Sequence, residues 1–462
     1  MCACTALDTS AARSKTTTLL VKQLSRFILN ISILFTVFIY VVGEEAVLVP
    51  DGIEAREAVS TTDGPPCSID VQKDLPKANL PQPLYLRPNS SKYWLPNADG
   101  FLQIPRGQII ELTCTGPFAN ASREDRPRNT SKQQRTQSIF PRCLKGTTFL
   151  LNDTKYEFRD FVCARTVKLS VKRTPQPCAN NTAQLYRIGY NLTRDRFIET
   201  MQACYNVYEL RTSHVCYTLG PANAHFQRGV KRWSFWKPDF YGSVDMNFLY
   251  IRKNQLLQAA KLLGSDEEAL QYFNGRSNLF SRGHHAAKAD MIYASQQRST
   301  FTFPNVSPQW QQFNGGSWAL TEDKVRSYVV KEKLEVICCT GTLGVMDFFV
   351  GNVSRPFYLT YDENNNGRHP VPKLFFRTIS VVGSAKGIVI LGVNVPYVTM
   401  DEIRENYIIC EDVKDQVPWL SWMQNSGKKL KQGYLYACRV DEFVKAVPSL
   451  AELFPNVTEL LV

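Results

Sequence analysis

No stretch of the 462 residues holds twenty apolar residues in a row, and none of the 13 cysteines falls in a CxxC pair. A comfortable membrane span takes ~20 residues, so the first absence leaves the chain without an evident one. The second argues against the common zinc sites and for structural disulfides. Histidine is scarce, with five in all, and no segment recurs at a fixed period, which excludes solenoid and propeller arrays. Acid is also in deficit, 42 Asp+Glu against 54 Lys+Arg, a formal +12 that favours polyanionic partners such as nucleic acid, heparin-like sugars or anionic lipid. A calcium loop is excluded too. Asp362-Glu363-Asn364-Asn365-Asn366-Gly367 opens like one, but its twelfth position is Lys373 where a bidentate Glu is required, so a hairpin turn is expected.

What is present divides the chain. The sixteen residues Phe27 to Val42 are apolar, preceded by Arg13, Lys15, Lys22 and Arg26 and followed by Glu44 and Glu45. That polarity places the N-terminus in the cytosol and makes residues 1–43 a signal peptide, or else a signal anchor at 27–42. Both readings put the remainder outside the cytosol: secreted and extracellular, or anchored as a type II membrane protein. Eleven widely spaced cysteines follow the apolar run, so at least one stays free or pairs with another chain. Asn-x-Ser/Thr sequons at Asn89, Asn120, Asn129, Asn152, Asn180, Asn191, Asn352 and Asn456 fit a glycosylated ectodomain. Residues 44–66 are small, acidic and turn-rich, a linker. Residues 67–200 alternate short β-type runs with turns, a small disulfide-tied β domain in which the arginine-rich Ser122 to Arg135 reads as a solvated loop. Residues 201–462 mix helical and strand patterns, an α+β domain with helices at Asn254 to Leu263, Asp266 to Phe273 and Val444 to Leu453 and apolar strands at Leu334 to Thr340 and Gly387 to Val393.

The chemistry concentrates in two segments. Ser281-Arg282-Gly283-His284-His285, followed by Lys288 and Asp290, gathers imidazole, guanidinium and ammonium groups in a pattern suited to a phosphate. On a strand, His284 and His285 point to opposite faces, so one works and the other is outside. Farther on, Asn314, Trp318, Glu322 and Arg326 recur every four residues along a helical run and share one broad face. Glu322 and Arg326 are also in the favourable order for an intrahelical ion pair. His214, His225 and His369 lack ligand-like spacing and read as surface or core histidines.

Taken together, Ser281-Arg282-Gly283-His284, Asn305-Val306-Ser307-Pro308-Gln309 and Asn314-Gly315-Gly316-Ser317-Trp318 with Glu322 and Arg326 resemble the DNA/RNA non-specific endonuclease family. Members of that family have a ββα-metal, or His-Me, finger; the chain as a whole is similar to secreted arthropod nucleases. The resemblance implies that His284 is the general base for the attacking water and that Asn314 is the direct protein ligand of Mg²⁺, with Mn²⁺ as the alternative ion and no organic cofactor. It implies that Arg282 and Arg326 offset phosphate charge, that Glu322 orients the metal's waters, and that Asn305, Gln309 and either Arg228 or Arg232 meet the substrate. DNA and RNA would be cut through phosphate contacts, which carry no sequence information, leaving 5′-phosphate ends. Activity would decline below the pKa of His284, nominally ~6.5. Ser281 stands where the family signature has Asp, removing a carboxylate from the metal site. That exchange is the support for the alternative, a catalytically impaired extracellular protein that binds nucleic acid without cutting it. Beyond the apolar run, Asn305 is formally a ninth sequon, and a glycan there would obstruct substrate, so it is expected to be unmodified.

Overall fold

The computed structural model describes residues 64–119, 137–351 and 353–462. The apolar run 27–42, the linker as far as residue 63 and the arginine-rich loop lie outside them. Among the described residues, no helix is long and apolar enough to cross a membrane.

The backbone of the α+β fold is a nine-stranded sheet that takes in Ser170–Cys178, Ala183–Asn191, Phe197–Asn206, Arg211–Leu219, Val336–Leu343, Leu374–Val381, Lys386–Val393 and Leu435–Cys438 in antiparallel order. Glu459–Leu460 adds a short parallel pairing to Lys386–Val393. Leu374–Val381 and Lys386–Val393 are buried almost throughout, as strands covered on both faces must be; the second is a near-continuous apolar run, while the first also buries Arg377 and Thr378. Ser170–Cys178 forms an edge. It is largely exposed and carries Lys172, Arg173, Pro175 and Pro177, residues that discourage pairing with a further strand.

Ahead of this sheet, residues 67–163 form small two- and three-stranded sheets around their own core of Leu84, Tyr85, Leu102, Ile104, Leu112 and Phe149. The division expected at 200/201 falls inside the strand Phe197–Asn206. Tyr190, Ile198, Ile292 and Tyr293 continue the N-terminal core, so the main sheet and the β-rich region share one apolar layer. A buried ion pair joins them as well: both oxygens of Glu111 accept from Arg196, at 2.7 and 2.8 Å.

Ten of the eleven cysteines beyond the apolar run pair as Cys67–Cys143, Cys114–Cys163, Cys178–Cys204, Cys216–Cys339 and Cys410–Cys438. Cys338 is left free. Burial pushes its thiol up to about 11, which makes it unreactive near neutrality.

Local sequence accounts for the helices. Ser265 caps Asp266–Tyr272 by accepting from the Glu268 amide at 3.2 Å, and Gly264 ends Arg252–Leu263 in the left-handed region that suits glycine. Pro448 breaks the helix expected across 444–453 into an α segment, Val440–Ala446, and a 3₁₀ segment, Pro448–Leu453. The calcium-like loop is the turn of a hairpin between Tyr358–Tyr361 and Gly367–Pro370, with Asp362 accepting from the amides of Asn364 and Asn366.

Three histidines are buried in this framework. His214 and His369 are pushed down to about 4 and His285 to about 3, in each case chiefly by burial. Each stays neutral when folded but takes a proton near ~6.5 when unfolded, so the unfolded state binds more protons between those limits. Stability therefore falls as pH drops from about 6.5 toward 4, with a slope of up to roughly 1.4 kcal/mol per pH unit for each histidine. Urea midpoints measured from pH 7 to pH 4.5 should decline steadily; a flat series would contradict this burial.

Candidate active site

Two antiparallel strands, Phe280–His284 and Val306–Trp310, present the first catalytic candidates, and their register sets Ser281 opposite Gln309 and His284 opposite Val306. Phe280 and Trp310 anchor the pair in the core with ring centroids 5.3 Å apart. Gly283 is required by contact: a Cβ there would lie 2.3 Å from Gln309 Oε1. Beyond the second strand the chain turns through a π-helical segment, Asn314–Trp318, into the helix Ala319–Lys331. That irregular turn separates residues expected to share one face. Asn314 and Glu322 look into a cleft, while Trp318 is fully buried against Phe313 and Phe375.

The cleft holds about 540 Å³ and brings together Arg232, Arg282, His284, Lys288, Asn314 and Glu322. His284 lies between Phe235 and Phe301, each ring centroid 5.4 Å away. Its hydrogen bond to the Arg282 backbone leaves Nε2 without a partner, an imidazole with one lone pair uncommitted. Burial, then the positive charges of Arg232 and Arg282, push its pKa down to about 4. His285 faces the other way, buried beside Phe375 with Nε2 2.9 Å from Ser307 Oγ. The opposed orientation of the two imidazoles follows from strand alternation.

Arg282 is held flat. Its guanidinium lies 5.1 Å from the Phe235 ring centre and 4.9 Å from that of Tyr250, and donates to Asn247 at 3.0 Å. Of the two candidate arginines in the preceding segment, Arg232 lines the cleft and Arg228 does not. Asn314 Nδ2 donates to Ser281 Oγ at 2.9 Å, and Ser281 Oγ donates onward to the Gln309 carbonyl at 3.2 Å. Serine thus supplies the acceptor that fixes the Asn314 amide, leaving its Oδ1 as the uncommitted atom.

Three expectations are corrected. Arg326 does not pair with Glu322 and does not line the cleft; it donates to Asp290 at 2.6 Å and to Asp323 at 3.0 Å. Asp290 is wholly buried and also binds Arg377 at 2.8 Å and the Tyr217 hydroxyl, so Arg326 belongs to a clamp under the helix. Asn305 is no substrate contact. It is fully buried, donates to the carbonyls of Ala286 and Thr300 at 3.0 and 2.9 Å, and accepts from the Ala286 amide at 2.9 Å. Gln309 is buried too, packed over Gly283 and absent from the cleft wall. Asn305 thus ties the finger's backbone together, whereas both amide atoms of Gln309 are buried without a hydrogen-bond partner.

Lys288, part of the basic motif but given no role of its own, lines the cleft; so does Phe235, which sequence reasoning passed over because it lies about fifty residues upstream among other aromatics, Trp233 and Trp236.

The donor set suits a hard, hydrated cation. Among the described residues, no three His, Cys, Asp or Glu side chains cluster as a chelating group. Asn314 Oδ1 and the Glu322 carboxylate are oxygen donors, and one or two such ligands with retained water is how Mg²⁺ is ordinarily held. Burial and the charge of Asp290 push Glu322 up to about 8, outweighing Arg377, Arg326 and Arg232. A divalent cation beside it would favour the ionised form.

Residues 181–443 match the family described as DNA/RNA non-specific endonuclease, more than half of the chain. The chain belongs to that family and is a hydrolytic nuclease; the family is divalent-metal dependent. It is 24% identical over 365 residues to a protein named salivary endonuclease from Lutzomyia longipalpis, covering 79% of this chain and 80% of the relative. Salivary protein Tsal2A of Glossina morsitans morsitans is 21% identical over 388 residues, 83% of this chain and 92% of that one. A chain in the crystal structure of an EndoG/EndoGI complex is 18% identical with a TM-score of 0.29, covering 42% of this chain and 71% of that one.

Asp290→Asn leaves two guanidiniums short of their counter-ion and should destabilise the fold by about 3–5 kcal/mol, read from urea unfolding. A loss below about 1 kcal/mol would mean that the clamp is not what fixes the helix. Glycopeptide mapping of protein from a secretory host should find sugar among the exposed Asn89, Asn152, Asn180, Asn191 and Asn456 and none on Asn305, whose nitrogen is bonded inside the fold.

Proposed function

We propose that this protein is a secreted, metal-dependent endonuclease that hydrolyses DNA and RNA without sequence preference, leaving 5′-phosphate ends, with His284 as general base. The observation that carries the reading is the pairing within one cationic cleft of an imidazole with a free Nε2 and an asparagine amide fixed by Ser281. Secretion is supported by the apolar N-terminal run, by five disulfides and by the salivary relatives.

In the reaction, His284 Nε2 accepts a proton from water as the water oxygen attacks phosphorus, and the P–O3′ bond breaks. Arg232, Arg282 and Lys288 offset the negative charge that gathers on the phosphate oxygens. Arg282, immobilised on two aromatic rings, meets that charge without having to reorganise. Asn314 and Glu322 would hold Mg²⁺ or Mn²⁺, which supplies Lewis-acid stabilisation of the phosphate and the leaving oxygen. By engaging the Asn314 nitrogen, Ser281 leaves the carbonyl oxygen available to hold such a cation. No base edge is read in such a site, which is why sugar and sequence would matter little.

Plasmid nicking should stop in EDTA and return with Mg²⁺ or Mn²⁺, while His284→Ala should lose roughly 10²–10⁴ in rate. Activity by His284→Ala equal to wild type would remove the base from the scheme. Because His284 acts when neutral, activity falls as pH drops through its pKa. That point lies at about 4 in the free protein, well below the ~6.5 of an unperturbed imidazole. Bound phosphate partly cancels Arg232 and Arg282 and raises it, so the acid limb of kcat should lie at higher pH than that of kcat/KM. Coincident limbs near 6.5 would contradict the cationic, buried setting of the ring.

A further inference from the structure

The segment that delivers Arg232 to the cleft is fastened at both ends. At one end, buried Gln227 donates to the Pro76 carbonyl at 3.0 Å, and its side-chain oxygen accepts from the Ala294 amide at 3.2 Å. At the other, Trp236 and Phe301 share a backbone hydrogen bond of 2.9 Å, and the Phe303 amide donates to Trp236 at 3.2 Å. Between these anchors Lys231, Arg232 and Trp233 are exposed.

A tryptophan left 44% exposed on a fastened loop is not there to fill a core. Its ring lies 4.8 Å from the guanidinium of Arg298. Arg298 is almost wholly buried and donates to the Ala78 carbonyl at 2.9 Å, so the indole rests on a fixed cation rather than swinging in solvent. Its neighbour Gln297 lines the cleft, and the Ala78 segment beside it carries exposed Lys77. Arg232 marks the cleft wall, Trp233 follows immediately, and Lys77 and Lys231 supply further positive charge. Alternation of cations for the backbone with an aromatic plate for the bases is how single-stranded nucleic acid is tracked without sequence preference.

We propose that Trp233 stacks on an unpaired nucleobase flanking the scissile phosphate, so that the substrate strand leaves the cleft across Arg232 and over the N-terminal β-rich region. The inference rests on the nuclease reading above and extends it to a contact for a single-stranded flank. A base within a duplex has both faces covered by its neighbours, whereas a splayed one offers a face to the indole. The Arg298 cation behind the ring holds the plate in position, which limits the entropy lost when the base lands.

The test is a coupling cycle on the His284→Ala protein, which retains the substrate. Binding of a fluorescein-labelled single-stranded oligonucleotide is read by anisotropy in Mg²⁺, for Trp233, Trp233→Ala and Trp233→Phe, with one abasic position walked along the strand. Trp233→Ala should weaken binding roughly ten-fold, and Trp233→Phe should recover most of it. One abasic position should weaken binding to the Trp233 protein and have no further effect in Trp233→Ala. Unchanged affinity in Trp233→Ala, or equal losses at every abasic position in both proteins, overturns the proposal. Thermal unfolding of both variants separates a lost contact from a disturbed loop: the proposal requires Trp233→Ala to melt as the parent does. Plasmid nicking by the wild-type protein reports separately on the nuclease reading, which can fail while the coupling survives.

Discussion

A buried carboxylate organises this site. Asp290 has no contact with solvent, and three groups from different elements converge on it: Arg377 from a central strand, Tyr217 from the strand two places along, and Arg326 from the helix that carries Glu322. An isolated buried carboxylate would be costly, and two guanidiniums without it would be costlier still, so the ions are stable only together. Their mutual need sets how the helix lies on the sheet. It also fixes the loop just after His284, since Asp290 is six residues downstream. The distance between the imidazole and the helix residues facing it is thereby set by electrostatics in the layer beneath the cleft.

Much of the outline could be read from the residues, because it depended on local rules. Strand alternation was enough to separate His284 from His285, and a serine before three acids was enough to place a helix start at Ser265. Asn314 and Glu322 both line the cleft, but the four-residue spacing that joined them also placed Trp318 and Arg326 there, and the irregular turn and Asp290 take those two away. What escaped depended on partners remote in sequence. Arg326 lies four residues from Glu322, and any local rule pairs them, but Asp290 waits 36 residues away with a fully buried carboxylate that wins the guanidinium. Asn305 and Gln309 look like substrate contacts because both are polar and lie in the motif. Asn305 instead closes a loop around Ala286 and Thr300, a bond pattern that only the folded backbone creates. The domain boundary was missed for a similar reason, since the β-rich region and the main sheet share buried residues that no change in composition marks.

Ser281 fixes Asn314 without adding charge. The acceptor needed by the Asn314 amide is a single oxygen lone pair, and a hydroxyl that gives its proton to the Gln309 carbonyl offers one. A carboxylate at this place would add negative charge beside the metal position; a serine adds none. Glu322 is left as the one carboxylate on the cleft wall, and with Asp290 beneath it and burial around it, its proton is held up to about 8. The exchange therefore acts on the charge balance of the site and not on the direction in which Asn314 points.

On the proposed assignment of His284 as general base, that balance accounts for how a weakly basic imidazole would serve. A base with a pKa near 4 is neutral at any physiological pH, which keeps it available, yet it accepts a proton reluctantly. The reluctance comes from burial and from Arg232 and Arg282, the same cations proposed to receive the phosphate. In the proposed reaction, an anionic phosphodiester settling between them would partly cancel their field at His284 and make the imidazole more basic when a water has to be deprotonated. On that proposal the arginines would couple substrate arrival to base strength: the empty cleft holds a poor base, and the charge that corrects it would arrive with the substrate.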